Sequence, residues 1–195
     1  MINRYILIIF LFTALPFSVI ADFKAGGDAY KKGDYETAAK EFLPLAEKND
    51  HRAMYALGSM YAAGHGVPQD YSEALKWFSK AAKFGRPDAQ YKIGLMYDEG
   101  KGVSQDDKKA INWYGKAAKQ GYGNAQYRIG LMYANGRAVS QNNIKAYAWL
   151  DNALHNEIKE AKSYLDKIVE SLSPEQLAEA QAMANEFKVK YQKRR

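Results

Sequence analysis

The chain repeats itself every 36 residues, and a repeat of that length restricts the fold more than any other feature of the sequence. Three blocks align without a gap: Ala53 to Asp88, Ala89 to Asn124, and Ala125 to Glu160. Tyr55, Tyr91 and Tyr127 correspond, as do Gly58, Gly94 and Gly130, then Tyr61, Tyr97 and Tyr133, and finally Trp77, Trp113 and Trp149. A unit this short cannot bury its apolar side alone. The copies must stack on one another, and the expected product is a solenoid.

Each block reads as two helices. Ala74, Trp77, Phe78, Ala81 and Ala82 fall at i, i+3, i+4, i+7 and i+8, one apolar stripe. Asp70 is placed to cap this second helix with Glu73 completing a capping box; Asp106 and Asn142 hold the same place later, and Gly85 and Gly121 suit a left-handed stop. The first helix carries Ala53, Leu57, Met60 and Tyr61 on one face, yet all three copies keep an interior glycine at Gly58, Gly94 and Gly130. Such a glycine costs about 0.8–1.0 kcal/mol relative to alanine. Its recurrence predicts a neighbouring helix or a bulky ring pressed against the backbone. Between the helices, Gly64-His65-Gly66-Val67 and Gly100-Lys101-Gly102-Val103 follow a helix and lack the third glycine of a dinucleotide loop, so they read as turns. Ala138 replaces the second glycine in the last copy.

The flanks continue the pattern imperfectly. Asp34, Ala38, Phe42 and Ala46 stand 36 residues ahead of Asp70, Ala74, Phe78 and Ala82, so residues 22–52 read as a divergent helix pair with a shorter loop. Residues 161–195 read as capping helices with a basic tail. Ser173-Pro174-Glu175-Gln176 supplies an N-cap, a first-position proline and a capping-box glutamine, and Leu177, Ala180, Ala184, Phe187 and Tyr191 form an apolar face.

Residues 1–21 read as a secretory signal peptide: Arg4, an apolar run from Ile6 to Leu15, and Val19-Ile20-Ala21 before the polar Asp22. A membrane anchor needs about 20 apolar residues, and Pro16 interrupts this shorter run. The expectation is cleavage near Ala21 and a periplasmic or secreted protein. With no cysteine, the exported chain carries neither disulfides nor thiol chemistry. The net charge of +6 is local: Arg4 and five basic residues among the last eight account for six of 28, leaving 22 against 22 acids. That neutral body argues against nucleic-acid binding. The tail reads either as a solvated end or as a contact for an anionic membrane surface or acidic partner.

The repeated motif A-x-Y-x-[IL]-G-x-M-Y-x-x-G-x-G-V-x-Q-D, followed by A-x-x-W-[FY]-x-K-A-A-x-x-G, resembles the Sel-one-like repeat, a relative of the tetratricopeptide repeats, across residues 22–190. The stretch from Ala146-Tyr147-Ala148-Trp149-Leu150 to Ala180 is similar to the closing segment of bacterial members. The resemblance implies an all-α, right-handed solenoid of antiparallel helix pairs whose concave face binds a protein or peptide, with no catalysis and no cofactor. Some exported relatives are disulfide-rich and linked to penicillin-like ligands, from which this chain departs. Others are host-interaction factors, and small periplasmic members are immunity proteins against secreted phospholipase-type toxins. The partner and the oligomeric state stay open.

No constellation of residues argues for an enzyme. His51, His65 and His155 lack metal-ligand spacing, Ser59 lies in a helix without a nucleophile elbow, and Asp98-Glu99 and Asp106-Asp107 read as helix-end acids. Most of the Tyr and Trp residues recur at the repeat period and are expected in the core, Trp113 among them as an inter-repeat filler. Helical projection sets Tyr55, Tyr91 and Tyr127 off the apolar stripe, on the side of Leu95, Asp98 and Leu131. Tyr91, Leu95, Asp98, Tyr127 and Leu131 are therefore the candidate partner-binding residues, the alternative being packing between repeats.

Overall fold

The computed structural model describes residues 22–191; the expected signal peptide and the last four residues of the basic tail lie outside the described residues. Ten helices fill that span: α1 Phe23–Lys31, α2 Tyr35–Glu47, α3 His51–Ala63, α4 Tyr71–Lys83, α5 Pro87–Glu99, α6 Asp107–Ala118, α7 Gly123–Asn135, α8 Asn143–His155, α9 Ala161–Ser171 and α10 Pro174–Lys190. From α1 to α9 each helix packs on its predecessor in the chain. The result is an all-α solenoid of antiparallel pairs, α1/α2 through α7/α8.

Helix starts follow the sequence. Asp70 accepts from the backbone N–H groups of Ser72 and Glu73 at 2.8 and 3.0 Å. Glu73 does not close the expected box, because its carboxylate turns to Lys76 one turn on. The reciprocal box forms at Ser173, whose N–H donates to Gln176 Oε1 at 3.0 Å while its own side chain accepts from Gln176 N–H.

The interior glycines do what their recurrence predicts. A Cβ at Gly58 would stand 2.7 Å from the Phe78 ring, at Gly94 2.5 Å from the Tyr114 ring, and at Gly130 2.6 Å from Leu150 Cγ. Gly26 of α1 faces Phe42 in the same way, at 2.7 Å. Each pair therefore closes by pressing one large side chain of its second helix onto the bare backbone of its first. In the loops, Gly66 and Gly102 adopt φ of +69° and +72°, and a Cβ there would stand 2.3 and 2.7 Å from the carbonyls of Tyr35 and Tyr71. The second loop glycine thus docks each unit on the preceding one. Ala138 holds the same left-handed conformation with φ 62°, against the steric preference of a residue with a Cβ.

The solenoid stops at α9. Asp166 occupies the position 36 residues after Gly130, where a ring would have to seat, and α10 lies across α8 instead. Asn152, 2% exposed, donates from Nδ2 to the Ala184 carbonyl of α10 at 3.0 Å and to Ala148 at 2.8 Å. Phe187 and Tyr191 cover Trp149 at ring separations of 4.6 and 5.6 Å. Lys188, grouped by sequence with a free basic tail, pairs with Asp151 at 2.7 Å. In α4 and α6 a lysine replaces Asn152, and Lys80 and Lys116 lie 4.0 and 3.8 Å over Trp77 and Trp113. Trp113, expected to fill the inter-repeat core, is only half-buried and packs at the edge of the cluster of the preceding units; Tyr114 beside it is fully buried, against α5 of its own pair.

Candidate functional site

The first helices α5 and α7 carry the five candidate residues. Tyr91 is half-buried, with its ring 5.6 Å from Tyr114 and 5.2 Å from Tyr122. Tyr127 meets Tyr164 of α9 edge-on at 5.9 Å. Leu95 and Leu131 pack one flank against the core and keep the other partly exposed.

Asp98 stands in the last turn of α5, as expected of a helix-end acid, but it does not face a partner: its side chain is 7% exposed and its oxygens are engaged inside the protein. Tyr114 Oη donates to Oδ2 at 2.9 Å, and Arg137 Nη2 donates to Oδ1 at 2.7 Å while also binding Asp107. Arg128 stands 3.8 Å away. Burial first, and then the Asp98 charge, push the Tyr114 hydroxyl well above its ordinary range. The hydrogen bonds that Arg137 donates to Asp107 and then to Asp98 raise its own value further. The signal was in the sequence: Asp98 and Tyr114 depart together from the Ala62/Phe78 and Ala134/Leu150 of the flanking copies. A buried hydroxyl needs an acceptor, and Asp98 supplies it.

A feature missed by the sequence reading lies at the other end. A hollow of about 580 Å³ opens between α1 and α3, floored by Phe23, Phe42, Tyr55 and Ala56 and edged by Lys31, Arg52 and Arg86. Phe23 packs on Phe42 at 5.3 Å and Tyr55 on Phe78 at 5.6 Å. Arg52 lies 4.5 Å over Phe23, and Arg86 lies 5.0 Å over Tyr55. Hydrogen bonding from Arg52 holds the Asp50 carboxyl down to about 2. Burial, then the charge of Asp88, push Tyr55 up to about 12. The clue was Phe23, which stands three residues before Gly26 as Tyr55 stands three before Gly58, a register obscured by the shorter loop.

Among the described residues no group of three or more His, Cys, Asp or Glu side chains could hold a metal ion. Stacked pairs closed by a large side chain on a glycine, with half-exposed apolar residues along the first helices, define a helical-repeat scaffold of the binding kind. The chain belongs to the Sel1 repeat family, which matches at residues 51–83, 87–122 and 123–154. Proteins of this family generally mediate protein–protein interaction.

Among solved structures, a Sel1 repeat protein from Oxalobacter formigenes is 28% identical with a TM-score of 0.70, over 74% of this chain and 59% of that one. A protective antigen present in uropathogenic Escherichia coli strains, displaying an SLR fold, is 25% identical with a TM-score of 0.62, over 87% of this chain and 45% of that one. Cysteine rich protein B of Helicobacter pylori, 21% identical over 68% of this chain and 95% of that one with a TM-score of 0.54, shares the fold. The matched region thus spans 59% and 45% of the first two relatives. No curated protein matches.

Proposed function

We propose that this protein is an exported, non-catalytic binding module of the bacterial envelope that holds a protein or peptide partner against its first-helix side. The observation that carries the reading is the pair Leu95 and Leu131. The equivalent residue in the preceding copy is Ser59, so stacking of the repeats does not require a leucine there, yet both leucines keep an apolar flank toward solvent. Apolar side chains that packing does not need, repeated along one side of a rigid scaffold, are suited to anchoring a partner. Tyr91 and Tyr127, half-buried beside them, extend the same surface.

The test is affinity capture from envelope extract with the native protein and with the Leu95→Lys, Leu131→Lys double variant. The double variant is expected to lose the captured protein, a change of about 2 kcal/mol or more at an anchor position, with little change in melting temperature. Loss of fold and binding together would assign the leucines to repeat packing. Specific retention of no protein, alongside a glycan that raises the melting temperature, would replace the reading with small-ligand binding. Export is tested by the N-terminus of the envelope protein, expected at Asp22.

A second reading, a host-facing role, is favoured by the likeness to the uropathogenic antigen. Protein found only in the periplasm, inaccessible to antibody on intact cells, would remove it. Immunity toward a phospholipase-type toxin rests on the family resemblance alone.

A further inference from the structure

We infer that the hollow between α1 and α3 is a subsite for a peptide segment in which a large apolar side chain is flanked by carboxylates. This rests on the reading that the first-helix side receives a polypeptide partner.

The floor is aromatic and aliphatic, and three of the lining residues are cationic while none is acidic. Two hydroxyls at the edge already have partners. Tyr30 Oη is bonded to His65 Nδ1 at 3.0 Å, and Ser59 Oγ donates to the Tyr55 carbonyl at 3.0 Å. Arg86 is tied to Asp88 and lies 3.3 Å from His51 Nδ1, which fixes it as a wall. Arg52 grips Asp50 with Nε and Nη2, and among the described residues no carboxylate bonds Nη1; its side chain is 54% exposed. Lys31 sits exposed in the last turn of α1, and among the described residues no ion pair engages it. The charge this hollow offers to an incoming chain is therefore positive.

Gly27 is a second, independent observation. Counted from the ring-seating glycine, it occupies the place of Ser59, Leu95 and Leu131, the position that elsewhere projects toward the partner side. A Cβ at Gly27 would meet nothing within 4 Å, whereas one at its neighbour Gly26 would strike the Phe42 ring at 2.7 Å. Internal packing explains Gly26 and leaves Gly27 unexplained. What the missing side chain does is deepen the hollow. An apolar floor suited to a large side chain, with cations at the lip, fits an aromatic or leucine residue bracketed by Asp or Glu.

The experiment uses the protein as purified from the envelope and two fluorescein-labelled peptides, one carrying tryptophan flanked by glutamates and one carrying tryptophan flanked by lysines. Fluorescence anisotropy is expected to show the acidic peptide binding at least about tenfold more tightly at low salt, with the advantage shrinking as salt rises. Lys31→Glu should reduce that preference. Gly27→Leu should abolish binding while the melting temperature holds or rises, since the new side chain enters open space. Equal binding of the two peptides, binding of neither, or binding indifferent to Gly27→Leu would overturn the subsite. Envelope capture that depends on Leu95 and Leu131 but ignores Gly27→Leu would sink this inference and leave the broader reading standing.

Discussion

At Gly94 a hydrogen atom faces the ring of Tyr114, and at Gly27 a hydrogen atom faces open space. The same substitution should therefore act with opposite signs. Gly94→Ala gains about 0.8–1.0 kcal/mol of helix propensity. It also drives a methyl to 2.5 Å from a fully buried ring, an overpacking cost of about 1–3 kcal/mol, so net destabilisation is expected. Gly27→Ala should stabilise by about 0.8–1.0 kcal/mol. Urea midpoints of the two variants check both, and a stabilised Gly94→Ala would show that Tyr114 moves aside freely. The repetition of the interior glycine made a close approach legible in the sequence. Which ring approaches was not, because the seating residue lies 20 positions away on another helix. Asp98 shows the limit of projecting a single helix: its face could be read, but not that Arg137, from the loop of the following unit, would reach it at 2.7 Å.

The last helix illustrates how an element's partner is chosen. Its amphipathic face was legible from Ala180, Ala184, Phe187 and Tyr191, but its docking on α8 was not, since two distant departures from the repeat decide it. Asp166 denies α10 the place beside α9 that a second helix would take, and Asn152 replaces the lysine that shields the tryptophans of α4 and α6. Restoring that lysine by Asn152→Lys sets a charge beneath α10 and removes the donor to Ala184. Hydrogen exchange should then accelerate at least about tenfold over 174–190, a shift of about 1.4 kcal/mol, while α3 to α6 keep their protection. Uniform loss of protection along the chain would mean that α10 is part of the common fold and not a separately docked cap.

For the molecule as a whole, the buried tyrosines set an alkaline limit. Tyr55 is pushed up to about 12 by burial and by Asp88, and Tyr114 is raised by burial and by Asp98. A phenol whose folded value exceeds its unfolded value of about 10 contributes stability that is complete below about pH 10 and lost as pH climbs toward the folded value. The urea midpoint should thus fall between about pH 10 and about pH 12, and Tyr55→Phe should flatten part of that fall. A parallel fall in the variant would assign the effect to other groups. The solenoid itself was legible, because one period sets both the helices and their stacking. The hollow at the α1 end was not, because a shortened loop places Phe23 32 residues ahead of Tyr55 instead of 36. The glycine seats carry a further consequence for descent. Each internal joint repeats one contact at one spacing, so an in-frame duplication of 36 codons from the middle of the gene brings both halves of a joint with it. A copy appended beyond α9 carries its own seat, but it has to stack on a helix with no second helix beside it, since α10 lies across α8. Lineages built this way lengthen from within, and their newest segments are to be sought between the oldest.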